Sequence, residues 1–428
     1  MSEQLQSNNT IAIIGLGYTG LPLAINFASH YNVIGYDIDL AKIEQLNKGI
    51  DPNREMPASA FEKLSIEFTC IEDELAAANI FIVTVPTPVL PNLQPDLQLL
   101  RSAMATVGCY LKKGDAVIVE STVYPGCTEE FCLPILEAVS GLKVGSDFGL
   151  GYSPERINPG DKLHTVSTVK KIIAASDENT LSRIGAIYSS IIKAGVVPVS
   201  SIKVAEAAKI VENVQRDANI ALMNQFSLVF DKMNLNTYEV LEAASTKWNF
   251  LPFHPGLAGG HCIAVDPYYL LYKANEIGVE APLIEVSRAV NESMVKHVAN
   301  AVLDFLKSKA TELSALKVLV KGITFKAGVS DVRNSKIVEV VKELLNAGVL
   351  VDVEDPFADS VQLSKEHGIS LVNAEGSDYS VVLIAVSHEK YQLLGEDYFL
   401  SITSPDSLIF DLNGIYRNKI KNRKYKSL

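Results

Sequence analysis

The run Ile11-Ala12-Ile13-Ile14 is followed at once by Gly15-Leu16-Gly17-Tyr18-Thr19-Gly20, and this order leaves the chain few ways to fold. Four apolar residues without a polar interruption suit a strand buried on both faces. Residues 21–30 carry a helical pattern, with Pro22 in the first turn, where its missing N–H costs nothing. Val33-Ile34-Gly35-Tyr36 is a second strand, and Asp37 stands at its end. Strand, glycine turn, helix, strand and acid in this order form the dinucleotide-binding version of a βαβ unit. The first glycine allows the tight turn, the second admits a pyrophosphate to the backbone, and the third lets helix pack on strand. The helix N-terminus then offers unpaired N–H groups and a favourable dipole to the anion. A carboxylate at position 37 accepts hydrogen bonds from a ribose 2′-OH and repels a 2′-phosphate, which points to NAD rather than NADP. Lys42 is either a contact to the adenosine end or a solvated helix residue.

Strand and helix keep alternating. Residues 80–85 and 116–120 read as buried strands, ending in Pro86-Thr87-Pro88 and in Ser121-Thr122-Val123-Tyr124-Pro125-Gly126. Ligands of open α/β sheets lie beyond the carboxyl ends of such strands. Thr122 is therefore a candidate for holding a water or a ribose, or else it caps the next helix. Glu155-Arg156-Ile157 follows another strand-like stretch, between two prolines. It is a surface turn, or it places Glu155 at a strand end as a general base.

Residues 202–233 contain no Gly or Pro, and Val204, Ala208, Val211, Val214 and Ala218 recur at helical spacing. At 1.5 Å per residue this helix would span about 45 Å, a natural connector and dimer surface. Lys209 and Asn213 share one face. A cation and an amide so placed can stabilise an oxyanion together, or they are two solvated polar residues. Glu212 and Arg216 read as an ordinary surface pair. After residue 311 the α/β rhythm restarts, with strands at 316–320, 349–353, 381–386 and 408–411 and a helix at 337–347. Its first strand–helix crossing lacks the glycine signature but carries Lys326 and Arg333. These suit a phosphate ligand other than a second dinucleotide, or they are exposed basic residues on a loop. The expected fold is α/β: two Rossmann-like doubly wound domains joined by a long central helix and helical segment, with boundaries at 1–201, 202–310 and 311–428.

A glycine-rich loop holds the candidate nucleophile. Gly256, Gly259 and Gly260 precede Cys262, and Asp266 follows four residues later. Glycines let backbone approach a ligand closely, and Asp266 is placed to organise a water or a cation. The alternative is a buried, inert thiol. Composition excludes other classes. A formal net charge of −12 argues against a general nucleic-acid binder. Five cysteines without a C-x-x-C pair make neither a disulfide framework nor a metal site. The N-terminal residues lack a signal-peptide core, and no apolar run approaches a membrane span, so the expected location is cytoplasmic, with no membrane partner. The basic stretch 417–426 reads as a solvated tail or a contact to an anionic surface.

Six ordered motifs carry a resemblance over essentially the whole chain: Gly15 to Gly20; Val85-Pro86-Thr87-Pro88; Ser121 to Gly126; Ala205-Glu206-Ala207-Ala208-Lys209 with Glu212-Asn213; Gly259-Gly260-His261-Cys262 to Asp266; and Phe325-Lys326 with Asp331-Val332-Arg333. In these the sequence resembles the UDP-glucose/GDP-mannose dehydrogenase family. The 155–161 loop and residues 247–253 are similar to the branch acting on UDP-N-acetylglucosamine and UDP-N-acetylgalactosamine in capsule and O-antigen synthesis.

The resemblance implies a four-electron oxidation of a UDP-N-acetylhexosamine at C6, with NAD as cofactor. Cys262 would capture the aldehyde, Glu155 would activate the hydrolytic water, and Lys209 and Asn213 would stabilise oxyanions. Asp266 and Thr122 would order the water of the first proton transfer. It further implies cofactor contacts at Gly15, Gly17, Tyr18, Thr19, Gly20, Asp37, Lys42, Pro86, Thr87, Ser121, Thr122 and Arg333. Substrate contacts are implied at Glu155, Arg156, Ile157, Lys209, Asn213, Phe253, His254, Gly256, Gly259, Phe325 and Lys326, with no metal. The implied domain roles are NAD binding, dimerisation and UDP binding, in a homodimer built through the central helix. The chain departs from the family pattern at Thr19, His254 and Lys321, where Val, a stronger base and a small residue are expected.

Overall fold

Strands β1 (Thr10–Ile14) and β2 (Asn32–Tyr36) lie in parallel register, Ile14 opposite Tyr36, with helix α1 (Gly20–Phe27) between them in sequence. The computed structural model describes residues 9–428 except 54, 55, 63, 65, 158–160, 162, 261, 262 and 373–375. Two compact units are present, one of residues 1–213 with 268–280, the other of 214–267 with 281–428.

In the first unit, helices α2 (Leu40–Leu46), α3 (Gln98–Tyr110), α4 (Leu133–Ser140) and α5 (Glu178–Ser189) alternate with β3 (Ile66–Thr69), β4 (Ile80–Val83), β5 (Ala116–Val119), β6 (Gly149–Tyr152), β7 (Lys171–Ala175) and β8 (Val196–Pro198). The eight strands are ordered β3-β2-β1-β4-β5-β6-β7-β8. All neighbours are parallel except β6 and β7. Every residue of β4 and β5 is buried, which is why both read as unbroken apolar runs. One face is filled by Ile11, Ile13, Leu23, Phe27, Ile80, Ile82, Ile118 and Tyr188. The strand order reverses between β1 and β4, and that switch point opens the ligand crevice of such sheets.

Helix α6 (Ile202–Lys232) runs unbroken, as its residue spacing predicts. It is followed by α7 (Thr237–Ser245), α8 (Asp266–Glu276) and α9 (Pro282–Lys307). In the second unit β9 (Lys317–Lys321), β10 (Leu350–Glu354), β11 (Tyr379–Ile384), β12 (Thr403–Asp411) and β13 (Lys424–Ser427) form a parallel sheet ordered β10-β9-β11-β12-β13. It is accompanied by α10 (Lys336–Asn346), α11 (Ser360–His367), α12 (Glu389–Gln392) and α13 (Glu396–Ile402). Strand periodicity sorts its two cores. Val318, Val320, Val381 and Leu383 pack with Met294, Val298, Val341 and Leu344 on one face, and Leu319, Val382 and Ile384 pack with Phe399 and Tyr416 on the other. No helix among the described residues is long and apolar enough to cross a membrane.

Three expectations fail here. The basic C-terminal stretch is not a solvated tail. β13 adds to the sheet beside β12, Arg423 donates to the carbonyl of Thr403 at 2.9 Å, and Lys426 pairs with Asp231. Its alternating Lys-Tyr-Lys-Ser pattern suits a half-exposed edge strand, with lysines guarding the edge. Glu212 does not pair with Arg216; it pairs with Arg156 at 2.6 Å, a tertiary partner that outcompetes a helical neighbour. Thr122 caps no helix, because the next helical turn starts only at Thr128.

Candidate active site

The turn after β1 has the turn and packing roles that its first and third glycines predict. Gly15 sits at φ +95°, a conformation open to glycine without strain. A methyl group at position 20 would lie 1.9 Å from the Gly15 carbonyl oxygen, whereas one at Gly17 would meet nothing within 4 Å. The open side of Gly17 is where a diphosphate would approach, and the residues present fit a dinucleotide. Asp37 is buried. Its Oδ2 accepts from the Leu16 N–H at 2.8 Å and from the Lys42 ammonium at 2.6 Å, and its Oδ1 accepts from the Asp39 N–H at 3.0 Å. Lys42 is thus held beside the acid, not solvated. The loops after β4 and β5 are cross-tied: Thr87 donates to the Thr122 carbonyl at 2.6 Å and Ser121 to the Val85 carbonyl at 2.7 Å. Tyr18, Thr19 and Thr122 are half-buried around this crevice, and Pro86 is exposed.

Glu155 is no simple surface turn. Its Oε1 accepts the N–H groups of Arg156 and Ile157, each at 2.6 Å, and its Oε2 meets the Lys171 ammonium at 2.9 Å. Lys171 also donates to Glu120 at 2.7 Å, and Tyr188 donates to the other Glu120 oxygen. One buried ammonium thus serves two carboxylates, Glu120 buried and Glu155 half-buried. Burial pushes the Glu155 carboxyl up, but Lys171 and the backbone N–H groups together hold it below the usual range. Burial raises Glu120 despite Lys171. The deeper carboxylate, Glu120, bears the uncompensated half of the cluster. Burial pushes the Lys171 ammonium down, and its two carboxylates more than offset this, leaving it above the ordinary value.

On α6, Lys209 and Asn213 lie on one face and are only 7% and 5% exposed, so the solvated alternative does not hold. Among the described residues no hydrogen bond or ion pair engages the Lys209 ammonium. One turn earlier, Glu206 is fully buried and accepts the N–H groups of Gly126 at 2.5 Å and Thr128 at 2.8 Å. It thereby caps the turn that closes the Ser121–Gly126 loop. Burial raises its carboxyl to about 7, against the pull of those hydrogen bonds. The raised value fixes the sign: the contribution to stability is complete below the ordinary pKa near 4.5 and is lost as pH rises through about 7. The loss amounts to about 3 kcal/mol between those limits. Melting temperature followed from pH 5 to 8 should fall for the native chain, and Glu206→Gln should flatten that part of the profile.

In the second unit the glycine-rich loop is fastened at both ends. The Asn224 amide clasps Gly256, accepting its N–H at 2.8 Å and donating to its carbonyl at 3.0 Å. A methyl group on Gly259 would lie 2.6 Å from the Asn334 carbonyl oxygen, and one on Gly260 2.9 Å from the Phe325 ring. The 256–260 and 322–335 loops are therefore in direct contact, which brings Gly256, Gly259, Phe325, Lys326 and Arg333 into one region. Arg333 is paired with Asp331 at 2.8 Å, and the Lys326 ammonium sits 5.5 Å over the Phe325 ring. Phe253 is half-buried, and His254 is exposed and stacks on Tyr238. Asp266 is buried at the start of α8. Lys321, a departure from the family pattern, is buried against Glu354 at 3.1 Å and the Tyr398 hydroxyl at 2.9 Å. Cys262 and its neighbour His261 lie outside the described residues, as do residues 158–160 of the loop after Glu155.

Sequence reasoning gave no role to Lys171, Glu120, Glu206 or Asn224. Lys171 was hidden in a basic pair, Lys170-Lys171, whose only signal was the apolar strand Ile172-Ile173 that follows.

Models of three consecutive parts of one family match the chain: the NAD binding domain at residues 9–192, the central domain at 203–293 and the UDP binding domain at 319–418. Among curated proteins, the UDP-N-acetyl-D-glucosamine 6-dehydrogenase of Pseudomonas aeruginosa is 44% identical over 94% of this chain and 96% of its own length. The enzyme of that name from Salmonella typhi is also 44% identical, over 94% of this chain and 95% of its own. Among solved structures, a UDP-D-ManNAc dehydrogenase from Pyrococcus horikoshii superposes with a TM-score of 0.88 at 30% identity, covering 98% of both chains. With its glycine cradle, its second parallel sheet and these matches along its length, the chain belongs to the UDP-glucose/GDP-mannose dehydrogenase family and is an NAD-dependent nucleotide-sugar dehydrogenase.

Proposed function

We propose that the chain oxidises the C6 alcohol of UDP-N-acetylglucosamine to the carboxylate, reducing two NAD per sugar, for the synthesis of a surface polysaccharide. The observation that carries this reading is the placement of Lys209 and Asn213 side by side on one helix face, both of low exposure, with an ammonium that no described carboxylate takes up. A largely buried lysine side chain beside an amide has a use where negative charge develops on a reacting oxygen. The choice of sugar is supported by the names of the two relatives at 44% identity.

Bound NAD would supply a hydride acceptor at C6. Gly15, Gly17, Tyr18, Thr19, Gly20, Asp37, Lys42, Pro86, Thr87, Ser121, Thr122 and Arg333 are the residues proposed to hold it. Thr122 and Asp266 order the water that takes the first alcohol proton, and Lys209 and Asn213 stabilise the alkoxide. The Cys262 thiolate adds to the aldehyde carbon and keeps it bound as a thiohemiacetal. The second oxidation leaves a thioester, which a water oriented by the ionised Glu155 cleaves to free the carboxylate and the thiol. Arg156, Ile157, Phe253, His254, Gly256, Gly259, Phe325 and Lys326 are proposed to hold the nucleotide sugar. Residues 1–201, 202–310 and 311–428 would respectively bind NAD, dimerise and bind UDP.

A homodimer through α6 is supported by Leu222, Phe226 and Val229, exposed apolar residues at the spacing of one helix face; sedimentation would show twice the chain mass. The proposed location is the cytoplasm, whose reducing conditions suit the unpaired thiols of Cys70, Cys109, Cys127 and Cys132.

The test is NADH formation with UDP-N-acetylglucosamine, UDP-N-acetylgalactosamine, UDP-glucose and GDP-mannose in parallel. The highest kcat/KM is expected with the first. Turnover of only UDP-glucose or GDP-mannose would refute the reading. Cofactor choice is tested separately by Asp37→Ser. Losing a charged acceptor should lower kcat/KM for NAD by about 10- to 100-fold and narrow the preference over NADP.

A further inference from the structure

His388 follows β11, and its ring is fully buried. The Gly328 N–H points at Nδ1 from 3.2 Å. Nε2 lies 3.1 Å from Asp355 Oδ2 and 3.3 Å from the Thr324 hydroxyl. A backbone N–H can only donate, so Nδ1 accepts and Nε2 carries the ring proton, directed at Asp355. The Thr324 hydroxyl is spent on the Lys326 carbonyl at 2.9 Å. Asp355 accepts four backbone N–H groups, from Ile323, Thr324, Phe357 and Ala358, at 2.7, 3.1, 2.8 and 2.9 Å. Phe357 stacks on the imidazole at 5.0 Å between centroids, and Tyr391 meets it edge-on at 5.4 Å.

These contacts converge on one short segment. Residues 322–328 leave the carboxyl end of β9, where open α/β sheets bind ligands. Asp355 fastens the segment at Ile323 and Thr324, Thr324 holds the carbonyl of Lys326, and His388 fastens the N–H of Gly328. Gly328 itself sits at φ +77°, so the segment's exit depends on a glycine conformation that the imidazole contact holds in place. Lys326 rides at the middle of an arc whose two ends are tied to one buried Asp–His pair.

We propose that His388 is a positioning residue for nucleotide-sugar binding: through Nδ1 it holds the Lys326 loop in the shape that receives an anionic group of the substrate. The proposal rests on the reading of Lys326 as a substrate contact. It is tested by steady-state kinetics on His388→Ala, His388→Asn, His388→Gln, Lys326→Ala and the His388→Ala/Lys326→Ala pair. Asparagine can place its carbonyl oxygen where Nδ1 stood and still accept from Gly328. Glutamine reaches toward Asp355 and leaves the Gly328 N–H unmatched.

Alanine and glutamine should raise KM for the nucleotide sugar about tenfold, with kcat and KM for NAD nearly unchanged, the pattern of lost uniform binding. Asparagine should recover most of the loss, and the pair should be no worse than Lys326→Ala alone. If His388→Ala does not fold, the contrast between asparagine and glutamine decides. An unchanged KM in His388→Gln beside a raised KM in Lys326→Ala would overturn the role of His388 alone. Equal losses in kcat and in both KM values would overturn it as well, by showing a general structural defect. An unchanged KM in Lys326→Ala would remove the substrate role of Lys326, and the proposal with it.

Discussion

Replacing Cys262 by serine should abolish formation of the sugar acid, lowering its rate by at least roughly 10³-fold, while the first oxidation survives in part. The asymmetry follows from the chemistry of the two steps. Removing the first hydride from C6 needs a base and oxyanion stabilisers, and the proposed stabilisers, Lys209 and Asn213, are untouched by the substitution. Capturing the aldehyde needs a nucleophile that is anionic near neutral pH. A thiol, with an ordinary pKa near 8.5, can supply its anion there, whereas a serine hydroxyl without an adjacent base cannot. The measurement is quenched-flow separation of alcohol, aldehyde and acid products. Undiminished acid formation by Cys262→Ser would show that oxidation proceeds without a covalent intermediate, and the glycine-rich loop would then need another explanation.

Lys171→Met should be the most destabilising single change in the first sheet, costing about 3–5 kcal/mol at pH 8, because it strands the buried Glu120 and the half-buried Glu155. Lys171 is 2.7 Å from Glu120 and 2.9 Å from Glu155, and a methionine of similar length fills its space without its charge. The pH dependence separates charge from packing. With Lys171 present Glu155 is depressed, so its contribution is present above its ordinary pKa and is lost as pH falls through the lower, folded value. Without Lys171 both carboxylates are driven to take up protons. The gap between the two proteins should therefore narrow from pH 8 to pH 5. Denaturant titration at both pH values reads this directly. A gap below about 1 kcal/mol at pH 8, the scale of an exposed pair, would refute the buried-cluster account.

The parts of this molecule that were legible in its sequence are those whose determinants are contiguous. The βαβ cradle is spelled in order from Ile11 to Asp37, and Gly15 and Gly20 take in space the turn and packing roles that their spacing implies. The α6 face that carries Lys209 and Asn213 follows from helical periodicity alone, as does the second sheet from its alternating apolar runs. What was not legible depends on partners far apart in the chain. Lys171 finds Glu120 51 residues away, and Glu206 reaches Gly126 80 residues away. No local pattern announces either pair. The C-terminal stretch misled for the opposite reason. Its lysines and arginines look like a tail, yet Lys424, Tyr425, Lys426 and Ser427 pair with β12 and make it an edge strand, and edge strands favour such charges. Glu212 misled similarly, since a helical neighbour at i+4 was available and a tertiary partner was chosen instead.

The central claim is that one active site removes two hydrides from one sugar carbon. Its most direct test is the ratio of NADH formed to UDP-N-acetylglucosamine consumed, with the sugar limiting and NAD in excess, read by absorbance and by mass of the product. Oxidation of an alcohol to a carboxylate releases four electrons, so the account predicts two NADH per sugar and a product heavier by the exchange of two hydrogens for one oxygen. One NADH per sugar, with the aldehyde as the final product, would contradict it.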